Sequence, residues 1–201
     1  MPNPATHFTV EANKAMAAAL PLDDQADFER NARGLIARAD SLVITGIDSD
    51  RVVWDMDRFA FIDGDAPDTV NPSLWRQEKL NNGHGLYELT ERIYQVRGYD
   101  ISNITFIEGD TGWIVIDPLT TTETAAAALD LLNTTVGERP VVGVIYTHSH
   151  ADHFAGAYGV ISDEDVSSGR VPVIAPAGFV EEAVRENVIA GPAMLRRAAY
   201  M

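Results

Sequence analysis

The spacing of hydrophobic positions changes repeatedly along this chain, and each change marks a change of element. Through residue 40 apolar residues recur at helical intervals. Residues 8–40 read as helical, with a break at Leu20-Pro21 and DDQADFERNARGLIARAD (23–40) as an amphipathic helix. The acidic first turn of this amphipathic helix suits the helix dipole. RVVWDMDRFAFIDGDAPDTVNP (51–72) mixes short extended pieces with Gly, Pro and Asp turns, an irregular lead-in, and PSLWRQEKLNN (72–82) suits a short helix with Pro72 near its start.

From Leu86 the period shortens. LYELT, IYQVRG and NITFIEGDTGWIVID are rich in β-branched and aromatic residues, and Gly109-Asp110-Thr111-Gly112 divides the last into two arms of a hairpin. The second arm ends at Asp117-Pro118. TTTETAAAALDLLNTTVG (120–137) returns to a helical pattern, with Thr120 and Glu123 spaced as a capping box. PVVGVIYT (140–147) is nearly all apolar, as in a strand buried on both faces. DEDVSSGR (163–170) then reads as a polar loop, VPVIAP as a strand, AGFVEEAVRENVIA as a helix, and GPAMLRRAAYM as a helix still in progress at Met201. Strands alternating with helices in this order predict a layered α/β fold. The change at Leu86 divides the chain into a mainly helical lead-in over 1–85 and a layered unit over 86–201.

Composition adds exclusions. The 30 acidic and 15 basic residues give a formal charge of −15, which argues against nucleic acid or an anionic membrane surface as the main partner. Basic residues are scattered rather than gathered in a patch. There is no cysteine, so any metal must be held by nitrogen and oxygen. No run approaches the roughly 18 apolar residues of a membrane span. The apolar core of KAMAAALPL is short for a signal peptide, so the sequence favours the cytoplasm, with a periplasmic or secreted location as the alternative.

Three of the chain's five histidines fall between Tyr146 and Phe154, where the apolar strand runs out. His148, Ser149, His150, Ala151, Asp152 and His153 form the pattern H-x-H-x-D-H. Alternate residues of an extended segment point the same way, so His148 and His150 can close on one ion. Asp152 and His153 face differently and suit a second. Imidazole and carboxylate donors suit zinc, with iron or manganese possible. Two such ions acidify water and clamp charge on a leaving oxygen, which is the chemistry of hydrolysis. The end of a buried strand is also where open α/β sheets place ligands. Asp117, ending the neighbouring strand, either caps its own turn or orients a ligand histidine through the far ring nitrogen. His84, between glycines, reads as a loop or packing residue, and Trp113 as core.

The H-x-H-x-D-H run after a buried strand, with Asp117 ending the preceding hairpin, resembles the metallo-β-lactamase superfamily. LPLDDQADFERNARGLIA, YQVRGYDISNITFIEGDTGWIVIDPLT and VIYTHSHADHFAGAYGV narrow the resemblance to the alkyl sulfatases, the hydrolases of linear alkyl sulfates. It runs from about Lys14 to the end of the chain. It implies the N-terminal part of a metallo-β-lactamase-type αββα sandwich, with 86–201 as the first half of that domain. It also implies two Zn2+ ions, one on His148 and His150 and the other on Asp152 and His153. Asp152 would be the catalytic residue of this portion and Asp117 would support the ligands. The substrate would be an alkyl sulfate, and the complete protein a homodimer formed through regions beyond this chain. The family completes its metal site with two glutamates and a histidine well downstream, in members roughly three times longer. Another hydrolase of the same fold, acting on a thioester or lactone, and a non-catalytic truncated paralogue that pairs with a partner are the competing readings.

Overall fold

The computed structural model describes residues 3–199. Helix α1 (His7–Ala19) is capped by the Thr6 side chain, and α2 (Ala26–Ala32) follows the Leu20-Pro21 break. The helix expected over 23–40 stops early. Gly34 takes a left-handed φ of 82°, and its backbone sits so close to Glu88 O that a Cβ would collide there. The chain beyond it becomes strand β1 (Leu35–Ala37). The helical periodicity continued past Gly34, but backbone pairing decided the outcome.

Strands β2 (Val43–Thr45) and β3 (Val52–Asp55) form a small antiparallel pair, and α3 (Pro72–Asn81) starts at an Asn71 cap with proline in its first turn. Then come β4 (Gly85–Thr90), β5 (Ile93–Arg97), β6 (Ile104–Glu108) and β7 (Trp113–Ile116), an antiparallel meander. Helix α4 (Thr122–Val136) carries the chain to β8 (Val141–Ile145), which lies parallel to β7. After α5 (Asp163–Ser167), the two-residue β9 (Val173–Ile174) pairs parallel to β8. Helix α6 (Phe179–Val184) runs into a π turn over Arg185–Ile189, and α7 (Gly191–Ala198) ends the described chain. The main sheet has seven strands in the order β1-β4-β5-β6-β7-β8-β9. Strand β1, from the lead-in, therefore forms one edge of the sheet that the later strands build.

One face of this sheet is closed. Tyr94 and Val96, Ile104 and Phe106, Trp113 and Val115 alternate into a core with Leu119, Ala125, Ala128 and Leu132. The last three recur along one side of α4, which lies against β1, β2, β3 and β5. The opposite face pairs Ile93 with Ile107, Ile107 with Ile114, and Thr105 with Ile116, all only half-buried. Strand β8 is likewise half-buried at Val141, Val142 and Ile145, rather than covered on both sides.

Two further expectations change. The cap of α4 is Thr121, which accepts from Thr124 N, and not Thr120; Thr120 Oγ1 donates instead to buried Asp100 at 2.7 Å. Residues 163–170 are not all loop, because Ser162 and Asp165 form a capping box that nucleates α5. No helix of the described residues is long and apolar enough to cross a membrane.

Candidate metal centre

Two neighbouring strand ends build the site. Strands β7 and β8 are parallel, so Asp117 and Tyr146-Thr147 emerge side by side. Asp117 adopts φ of 55°, a left-handed conformation that Asp tolerates better than most residues. This turn directs its carboxylate across to the next strand end. Oδ1 accepts from Thr147 N at 2.8 Å, and Oδ2 accepts from Thr147 Oγ1 at 2.6 Å. Asp117 is buried.

The segment beyond β8 bends over residues 147–149, passes through an extended His150, and then makes a single 3-10 turn over Ala151–His153. Ser102 Oγ, from the loop between β5 and β6, donates to the carbonyl of Asp152 and holds this turn. Gly156 lies against the carbonyls of Pro118 and Thr121, leaving no room for a Cβ. The close approach pins the chain after the motif onto the turn that follows Asp117.

The hydrogen bonds assign the protons on two rings. Thr147 Oγ1 uses its one hydrogen on Asp117, so at 2.9 Å it accepts from His148 Nδ1, which leaves the His148 Nε2 lone pair free. His153 Nδ1 donates to Asp117 Oδ2 at 2.9 Å, which leaves Nε2 free, 3.3 Å from Asp152 Oδ2. His148 Nε2 in turn faces His150 Nδ1 at 3.1 Å. The far nitrogen of His150, Nε2, is 3.3 Å from Glu186 Oε1 in the π turn.

This donor set fits a metal ion. Two nitrogens bound to one tetrahedral zinc lie about 3.3 Å apart, given Zn–N bonds of about 2.05 Å. The His148–His150 separation of 3.1 Å is close to that. The rings of His148 and His153 are also near neighbours, with centroids 4.1 Å apart, so the two donor pairs share one patch. Asp117, His148 and His153 place ligand-type atoms within 4.8 Å of one another. Asp117 Oδ2 already accepts two hydrogen bonds and Oδ1 one, which makes it an orienting acceptor for Thr147 and His153.

The structure thus brings together all five residues singled out in the sequence: Asp117, His148, His150, Asp152 and His153. It adds Thr147 and Glu186. Thr147 adjoins the motif but carries no pattern of its own, and Glu186 is one of several acids in its helix. His84 lies elsewhere, buried, with Nε2 3.1 Å from Ala39 O, as a packing residue.

Residues 97–195 match the sequence profile of the metallo-beta-lactamase superfamily. The chain is 50% identical over 200 residues to a linear primary-alkylsulfatase of Pseudomonas sp., covering 98% of this chain and 30% of that protein. It is 49% identical over 193 residues to an alkyl/aryl-sulfatase of Saccharomyces cerevisiae, again 30% of its length. Among solved structures, the stereoselective inverting sec-alkylsulfatase Pisa1 from Pseudomonas sp. superposes with a TM-score of 0.93 at 51% identity, covering 98% of this chain and 31% of that one. The chain therefore spans about a third of the length of these relatives. Residues 97–195 thus carry the metallo-beta-lactamase superfamily match, the chain has the fold of that superfamily, and nearly its whole length is similar to about a third of the alkylsulfatases.

Proposed function

We propose that this chain is the N-terminal part of a zinc-dependent hydrolase that cleaves alkyl sulfate esters to an alcohol and sulfate. The observation that carries this reading is the 50% identity to an alkylsulfatase across 98% of the chain, through the metal-binding motif. Residues 1–85 form the lead-in and 86–201 the first half of the metallo-β-lactamase-like domain. His148 with His150, and Asp152 with His153, each supply part of the coordination of one Zn2+. Bound there, zinc would acidify water and stabilise the charge that develops on the ester oxygens.

The chain's own contribution is orientation. Asp117 fixes two histidines at once, His153 directly and His148 through the Thr147 hydroxyl, so that both present lone pairs to the centre. Ser102 and Gly156 hold the segment that carries Asp152 and His153. Asp152 is the candidate catalytic residue, with its Oδ2 3.3 Å from His153 Nε2. The remaining donors, the groups that grip the sulfate, and the contacts of a homodimer belong to the rest of the protein.

The test is sulfate release from dodecyl sulfate by the protein at its full natural length, with a thioester and a lactone as competing substrates. Release of sulfate that is lost on chelation and regained with Zn2+ supports the reading. Turnover confined to the thioester or lactone would replace it.

A further inference from the structure

We propose that Glu186 is a positioning residue for His150, doing for that ring what Asp117 does for His148 and His153. This inference rests on the metal-site reading above. The network accounts for the far nitrogen of each of two rings. His148 Nδ1 is held by Thr147, 2.9 Å away, and His153 Nδ1 by Asp117 at 2.9 Å. His150 is turned the other way round, with Nδ1 toward His148, so its far nitrogen is Nε2. Asp117 does not bond that atom. Among the described residues, the carboxylate it meets is Glu186, with Oε1 at 3.3 Å. A proton on Nε2, donated to Glu186, leaves the Nδ1 lone pair facing that of His148. Two lone pairs at 3.1 Å repel unless a cation lies between them, so this tautomer is the one a metal site requires.

The helix that carries Glu186 is fixed to the motif independently. Phe179, which opens α6, stacks on Tyr146 with centroids 5.3 Å apart and meets Phe154 edge to face at 5.1 Å. Tyr146 precedes the histidine run and Phe154 follows it, so one aromatic ring is wedged against both ends of the metal-binding segment. The neighbouring acids are otherwise engaged: Arg185 pairs with Glu181 and Glu182, each at 2.7 Å. Glu186 is left for His150, and its side chain is less exposed than theirs, at 27% against 67% and 57%. It lies in the π turn over Arg185–Ile189, closed by Ala190 N donating to Arg185 O at 2.9 Å. Such turns are found frequently at functional sites.

The experiment uses the protein at its full natural length and Co2+ as the probe, titrated against a chelator while the visible d–d bands are followed. The 15N shifts of the His150 ring in the Zn2+-loaded protein report which nitrogen keeps its proton. Glu186→Ala is expected to weaken Co2+ binding roughly 10- to 100-fold, the usual cost of removing such a partner, and to shift His150 away from the Nε2-protonated form. Glu186→Gln, whose amide oxygen still accepts, should recover most of the affinity and the tautomer. An alanine variant unchanged in both readouts, or a glutamine variant as weak as alanine, would overturn the role assigned to Glu186. His150→Ala serves as the control. If it binds Co2+ like the unaltered protein, the metal-site reading fails with the inference; if it alone is impaired, only the Glu186 inference falls.

Discussion

At the residue scale, Asp117 concentrates more of the site than any single ligand. One buried carboxylate accepts from Thr147 N, Thr147 Oγ1 and His153 Nδ1, and through Thr147 it also sets His148. Losing it leaves one backbone donor unpaired and frees two rings to turn. Asp117→Ala should therefore weaken metal binding by about 10- to 100-fold, measured by chelator competition. Asp117→Asn keeps the size and the tolerance of a left-handed φ but has one acceptor oxygen rather than two, so its loss should be smaller. Equal losses in the two variants would show that the charge, and not the count of acceptors, is what matters. The H-x-H-x-D-H spacing made the candidate ligands legible because residue type and alternation alone suggest convergence. Asp117 was legible only as one of two alternatives, since its partner strand had first to be placed. Glu186 was not legible at all: nothing in its local sequence separates it from Glu181 and Glu182, and its role arises from the packing of Phe179 between Tyr146 and Phe154.

At the scale of elements, α4 is the support on which the turn after Asp117 rests. It buries Thr124, Ala125, Ala128 and Leu132, and begins at a Thr121 side chain that accepts from Thr124 N. Leu132→Ala should cost about 2–5 kcal/mol in a denaturant melt, as fully buried leucines do. Thr121→Ala should cost about 1 kcal/mol, typical of a lost N-cap. The neighbouring Thr120 was the plausible cap from sequence, because Glu123 stands in the right place for a capping box. Buried Asp100 outcompetes that arrangement by accepting from Thr120 N, Thr120 Oγ1 and Thr124 Oγ1. In α5 the cap has a pH signature. Hydrogen bonds from the Ser162 side chain and backbone hold the Asp165 carboxyl below its ordinary value. A depressed folded value means that this stabilisation is present above the unfolded pKa and is lost as pH falls through the folded one. Amide protection factors around Ser162, with the intrinsic rate at each pH divided out, should therefore fall under acid conditions, and Asp165→Asn should remove that pH dependence. The sequence hid this helix because a short acidic stretch rich in serine has the composition of a loop, and only the reciprocal cap makes it helical.

At the scale of the whole molecule, the order of strands and helices carried the fold class, since alternation of β and α with a tight hairpin leaves few architectures. Long-range pairing was less accessible: β1 joins the sheet through β4, far along the chain, and local periodicity has no information about that partner. The same scale decides how metal is held. Each proposed zinc receives two donors from this portion, His148 with His150 or Asp152 with His153. A tightly bound zinc normally has three protein ligands and a water. The half-buried isoleucine face of β5, β6 and β7 also lacks, among the described residues, the covering layer that an αββα sandwich would supply. Residues 1–201 by themselves should then retain zinc substoichiometrically after dialysis, by elemental analysis, whereas the protein at its full natural length should hold two ions per chain. Two tightly held ions on residues 1–201 would show that these donors suffice, and the assignment of further ligands to the rest of the protein would have to be abandoned.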